Sequence, residues 1–168
     1  MNISERVKEK IKLVISSIVV LLLVVAVSSV LSRNVSGKVN VEVVGDSMQP
    51  TLYSGEKLTA DKNITQINRG DIIIFKSVDD NKVLIKRVVG LPGEKIRIQN
   101  EKIFINNKEL AEPYLKEKMN SAMDKYLPVD MLIPIEVYYV MGDNRNNSND
   151  SRNFGVVPMK SIIGKIEK

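Results

Sequence analysis

The sequence predicts a mainly β domain, a compact barrel or folded sheet, carried behind one N-terminal transmembrane helix. Three observations predict it. Residues 13 to 31, LVISSIVVLLLVVAVSSVL, carry no charge. Beyond Ser32 the apolar residues fall into short alternating runs, the period of strands. Gly, Pro and Asn break those runs where turns are needed.

The uncharged segment comes first in chain order. As a helix it would reach roughly 29 Å, the thickness of a hydrocarbon core. Arg6, Lys8, Lys10 and Lys12 precede it, and the positive-inside bias then keeps residues 1–12 in the cytoplasm. Residues 13–32 read as the anchor, 33–38 as a stalk and 39–168 as one extracytoplasmic domain, placing the chain in the plasma membrane. Ala26-Val27-Ser28 also resembles the small-x-small site of a cleaved secretory signal, although the apolar run is longer than such a signal needs. A buried core helix would show a polar face, and this run has none.

The strand elements follow. Val39 to Val44 alternates and reads as a strand. RGDIIIFK, 69–76, is a turn feeding a β-branched strand, and KVLIKRVV, 82–89, is a strand closed by the turn GLPGE. Residues 95–110 read as a hairpin with Ile96 and Ile98 facing Ile103 and Ile105. Residues 113–131 have a mixed texture, that of a short helix or a mobile loop. IEVYYVMGD, 135–143, and IIGKI, 162–166, complete the set.

Composition narrows the chemistry. The net charge of +5 is mild and spread out, and there are few aromatics, so nucleic acid is not the expected partner. The chain has no cysteine and no histidine. Ser-His-Asp triads, cysteine nucleophiles and Cys/His metal sites are therefore excluded. No acidic run has calcium-loop spacing either. Neither a metal nor a cofactor is expected.

GDSMQPTL, 45–52, places Ser47 in a turn after the first strand. It is either an ordinary turn serine or a nucleophile that needs a base. Without histidine, that base would be a lysine kept neutral by apolar surroundings. Lys86 has such a setting, because alternation puts Leu84, Lys86 and Val88 on one strand face. The bland alternative is a lysine snorkelling at a sheet edge. Arg87, on the other face, stays protonated and is no base.

Together these residues resemble the bacterial type I signal peptidases, membrane-bound Ser-Lys proteases. An anchor is followed in the family's order by GDSMQPTL, RGDIIIF, IKRVVGLPGE and VMGDNRNNSNDSRNFGVV. The resemblance implies a signal-peptidase-like fold, with Ser47 as nucleophile and oxyanion donor and Lys86 as general base. It also implies Ser148 as a residue orienting the lysine, and Asp143, Asp150 and Arg152 as ion-pair braces of the loop. Gly90, Pro92 and Gly93 would shape the turn after the lysine strand. The substrate would be the signal peptide of an exported pre-protein, lying as an extended strand between Val44 and Leu84.

One position departs from the pattern of some members. They carry a hydroxyl residue two before the nucleophile, where this chain has Gly45, as the shorter, Gram-positive-like members do. The second oxyanion donor is then open. The short stretch from Glu94 to Ile135 implies that a large extra β subdomain is absent. A monomer at the lipid bilayer is expected. The rival readings are an inactive signal-peptidase-like assembly partner and a self-cleaving Ser-Lys domain. The first is opposed by the presence of both Ser47 and Lys86, and the second by an anchor standing in place of a DNA-binding domain.

Overall fold

The computed structural model describes residues 12–23, 37–77, 81–120 and 130–167. The chain divides into two units, residues 1–37 and 38–168. In the first, residues 12–23 form a helix, α1. Among the described residues no helix is long and apolar enough to cross a membrane. The remainder of the expected span, the Ala26-Val27-Ser28 stretch and residues 33–36 of the stalk lie outside the described residues.

The second unit is built from strands β1 (Lys38–Glu42), β2 (Lys57–Asp61), β3 (Ile72–Lys76), β4 (Val83–Gly90), β5 (Lys95–Gln99), β6 (Lys102–Ile105), β7 (Lys108–Glu109), β8 (Met131–Leu132), β9 (Val137–Met141), β10 (Val157–Pro158) and β11 (Ile162–Ile166). A single turn of helix, α2 (Ser151–Phe154), precedes β10. The larger sheet has seven strands in the order β1-β2-β11-β3-β4-β9-β10, and the smaller has four in the order β7-β6-β5-β8.

Of the two forms expected, a barrel or a folded sheet, the closed barrel is not the one present. Among the described residues β1 pairs only with β2 and β10 only with β9, so the larger sheet keeps two edges. Closure is not needed, because two layers already bury the apolar faces. β3 shows this best: Ile72, Ile73, Ile74 and Phe75 are all buried. Ile72 and Ile74 enter one apolar cluster with Val43, Met48 and Leu52. Ile73 and Phe75 enter another with Val88 and Val140. A third cluster joins the two sheets, with Val89, Tyr139 and Met141 packed among Ile96, Ile98, Ile103 and Ile105.

The hairpin register is the expected one, Ile96 opposite Ile105 and Ile98 opposite Ile103. The first strand ends at Glu42 rather than Val44: Val43 N–H still donates to Glu56 O at 2.9 Å, and the chain leaves the extended path at Gly45, φ +86°. β2 was not evident in the sequence: KLTAD has only Leu58 and Ala60 as an apolar face, between charged ends. Residues 113–120 form neither helix nor strand, and 121–129 lie outside the described residues. That stretch is nevertheless docked, since Met119 is 1% exposed in the cluster between the sheets.

What matters for function is β4. It lies between β3 and β9, so its backbone groups are paired on both sides. The turn after β1 and the loop after β9 flank it. Ile73, which stands opposite Lys86 on β3 and is fully buried, tests this arrangement. Ile73→Ala should lower unfolding stability by about 2–5 kcal/mol, read as a reduced denaturant midpoint at unchanged slope.

Candidate active site

Three segments converge on Lys86. β4 supplies the lysine, the turn at residues 45–52 supplies Ser47, and the loop at residues 142–150 closes over both. Lys86 is 4% exposed. Its neighbours on the strand face, Leu84 and Val88, belong to the apolar cluster with Ile73, Phe75 and Val140. The Lys86 Nζ donates to Ser47 Oγ at 2.7 Å and to Ile85 O at 3.0 Å. Burial pushes the amine down from 10.5 to about 8, with the Asp150 charge opposing and Arg152 assisting. The pair thus has the geometry and the basicity that general-base activation of a hydroxyl requires.

The turn holding Ser47 is fixed locally. Gly45 has φ +86°, in the left-handed region that favours glycine, and its N–H donates to Ser54 Oγ at 3.2 Å. A hydroxyl-bearing residue there would be strained, which accounts for glycine at this position. Met48 and Leu52 anchor the far side of the turn in the core.

The loop is pinned to that turn by Asn144. Its N–H donates to Ser47 O at 3.0 Å, and its side-chain amide donates to Asp46 O at 3.0 Å. Gly142 has no room for a side chain: a Cβ would stand 2.3 Å from Ser148 Oγ and 2.5 Å from Ser47 O. Ser148 therefore lies against the Ser47 backbone. Among the described residues its buried hydroxyl has no hydrogen-bond partner, and no bond joins it to the amine.

The acidic residues singled out in the sequence each hold an arginine. Asp143 takes Arg87 through two hydrogen bonds, at 2.8 and 2.6 Å, and accepts from the Thr51 hydroxyl. Asp150 takes Arg152 through two more, both 2.8 Å, and accepts the Gly142 N–H at 3.0 Å. Arg152 also donates to Arg145 O at 2.7 Å. Each of these charges is nearly or fully buried, so each depends on its partner.

Sequence reasoning named Arg87 only to exclude it as a base, and did not single out Thr51, Asn144, Arg145 or Glu112. A signal for Arg87 was present: alternation places a charged residue on the buried face of a β-branched strand, which demands a carboxylate. Glu112 lies 33 positions from Arg145 and left no such signal.

A groove of about 400 Å³ opens beside the pair, lined by Val44, Ser47, Val83, Leu84, Ile85 and Lys86 among others. Val44 at its rim is 87% exposed. The expected edge residues Val44 and Leu84 thus line one groove with the dyad. A second hollow, beside Asp61, Asp71 and Lys165, shares no residue with it. Among the described residues no cluster of acidic side chains could hold a metal ion.

Residues 11–168 match the family model described as signal peptidase, peptidase S26. The chain is 39% identical over 154 residues to signal peptidase I V of Bacillus subtilis, covering 83% of this chain and 91% of that protein. It is 42% identical over 134 residues to a signal peptidase I of Bacillus amyloliquefaciens, covering 73% and 68%. The crystal structure of a signal peptidase I from Enterococcus faecalis superposes with a TM-score of 0.51 at 30% identity, covering 63% of this chain and all of that one. A serine and a buried lysine joined by one hydrogen bond, in a sheet-rich fold with these relatives, lead to one conclusion: the chain belongs to the signal peptidase family of serine peptidases, peptidase S26.

Proposed function

We propose that the chain removes signal peptides from exported pre-proteins, with Ser47 as nucleophile and Lys86 as general base. The observation that carries this reading is the 2.7 Å hydrogen bond from a buried Lys86 to Ser47 in a chain without histidine. Neutral Lys86 takes the Ser47 proton as the oxygen attacks the carbonyl carbon. The Ser47 amide holds the oxyanion, and the protonated lysine then delivers its proton to the leaving amine. Water, deprotonated by the same lysine, releases the acyl group and restores Ser47.

The substrate lies extended in the groove between Val44 and Leu84, with small residues at the first and third positions before the cut. Ser148 orients the amine: among the described residues its hydroxyl has no partner and lies close to the Ser47 backbone, where it can accept a hydrogen bond from Lys86 when Ser47 is acylated. Asp143, Asp150 and Arg152 keep the loop in place. Residues 1–12 stay in the cytoplasm, 13–32 span the membrane, 33–38 link, and the monomeric domain of residues 39–168 works outside. The four basic residues before the uncharged run support that topology.

Ser47→Ala and Lys86→Ala should each lower pre-protein cleavage roughly a thousandfold or more, with circular dichroism unchanged. Lys86→Arg should be equally inactive, since a guanidinium cannot accept the proton; a working Lys86→Arg enzyme would sink the assignment. Ser148→Ala should cost less, roughly 10- to 100-fold, and a variant matching the parent at every pH would remove Ser148 from the site.

The pH dependence has a fixed sign. The active lysine is the neutral one, so cleavage should rise with pH along a limb near 8. Between about 8 and 10.5 the unfolded chain binds the proton that folded Lys86 has lost. Stability therefore increases with pH across that window and is lowest, for this group, below it. Lys86→Met should unfold at a higher denaturant midpoint than the parent at pH 7, and the gap should close toward pH 10.5. A gap independent of pH would show that the lysine's charge is not what costs stability.

A further inference from the structure

Residues 111–120, AEPYLKEKMN, lie outside the motifs that suggested the family, yet they form a strap across the loop at residues 142–150. Lys116 N–H donates to Asp143 O at 3.4 Å, and Asn120 N–H donates to Asn146 Oδ1 at 2.8 Å. The Asn146 amide returns a bond to Lys118 O at 3.0 Å. Most of the grip is ionic. Arg145, 0% exposed, donates to both Glu112 carboxylate oxygens at 2.6 and 3.0 Å.

Tyr114 joins this pair to the one beside Lys86. Its hydroxyl donates to Glu112 Oε1 at 2.9 Å, and its ring lies 4.1 Å from the guanidinium carbon of Arg87. Burial, and then the Glu112 charge, raise the phenol above its usual range, so it remains a donor. Arg87 is the strand neighbour of Lys86 and is held by Asp143.

We propose that Glu112 and Tyr114 are positioning residues of the Ser47–Lys86 pair, acting through Arg145, the loop and Asn144. The chain of contacts is continuous. Glu112 fixes Arg145, whose Nε donates to Gly142 O at 3.0 Å. Gly142 also donates its N–H to Asp150, and Asn144 ties the loop to Ser47 O and Asp46 O. Loop packing alone would need only Met119 in the core. It would not need a fully buried arginine whose carboxylate partner comes from the strap, since such a cation left alone is costly. Supports of this kind act by holding reacting atoms within fractions of an ångström.

The proposal rests on the Ser-Lys reading, and the experiment separates the two. Full-length protein in detergent is assayed on a pre-protein from pH 6 to 10, with kcat and KM taken separately. The variants are Glu112→Gln, Glu112→Ala, Tyr114→Phe and Lys86→Ala. Glu109→Gln, in an exposed pair with Lys102, is the control and should match the parent. Folding is followed by circular dichroism and thermal unfolding.

The Glu112 variants should lose roughly 10- to 100-fold in kcat with KM nearly unchanged. The rise of kcat should also move to higher pH, because a loosened loop admits water to the Lys86 amine. The charged groups acting on Lys86, namely Asp150, Arg152 and Asp143, are all retained in these variants, as is the adjacent Arg87. Tyr114→Phe keeps the ring over Arg87 and should give the same shift at smaller size. Folded Glu112 variants with the parental kcat and pH limb overturn the proposal. So does a fall in kcat that follows the folded fraction with the limb unmoved. If the Glu112 variants do not fold, a Tyr114→Phe enzyme identical to the parent overturns it. An active Lys86→Ala enzyme instead sinks the dyad and leaves the strap without an object.

Discussion

A lysine whose buried amine hydrogen-bonds to a serine rather than pairing with a carboxylate is the constraint on which the rest of the structure depends. An ammonium is stable in water and costly in an apolar sheet, so burial is the largest of the effects that bring Lys86 to about 8. That burial requires a strand paired on both sides and covered on its lysine face, which β3, β9 and the loop at residues 142–150 provide. On the proposed reading this burial exchanges stability at neutral pH for reactivity, a trade common at functional sites.

The surrounding charges are arranged so as not to undo this. Arg87, Arg145 and Arg152 are all buried within the same region. Each has its own carboxylate: Asp143, Glu112 and Asp150 respectively. The positive and negative charges thus match one for one. Each acid is occupied by a bidentate arginine, so none of the three pairs with the Lys86 amine. That amine hydrogen-bonds to a hydroxyl and a carbonyl. An isolated Asp143 or Asp150 would favour the ammonium over the neutral amine. On the proposed reading the arginines therefore serve the chemistry although none of them takes the proton.

The loop at residues 142–150 combines these requirements in one short segment. Gly142 leaves space for Ser148 and the Ser47 backbone, Asn144 secures the turn that holds Ser47, and Arg145 reaches the strap. Asp150 caps α2, accepting from the Arg152 N–H while pairing with its guanidinium. Such density accounts for a motif in which nearly every residue is polar although most are buried. Buried polar groups persist only where their bonds are met.

By itself the sequence determined the strands that alternate strongly, the hairpin register at Ile96–Ile105, the absence of any histidine base, and Ser47 and Lys86 as candidates for a reactive pair. These are local properties: side-chain period, turn chemistry and the setting of one lysine on its strand. The open sheet, the insertion of β11 between β2 and β3, and the weak strand KLTAD were decided by tertiary pairing, because edges and partners are set between distant segments. The ionic network was decided there too. Nothing near Glu112 or Tyr114 in the sequence points to Arg145 and Arg87, and only the folded chain brings a buried cation and its carboxylate together. Charge pairing in an interior depends on distance through space, which the order of residues does not encode locally.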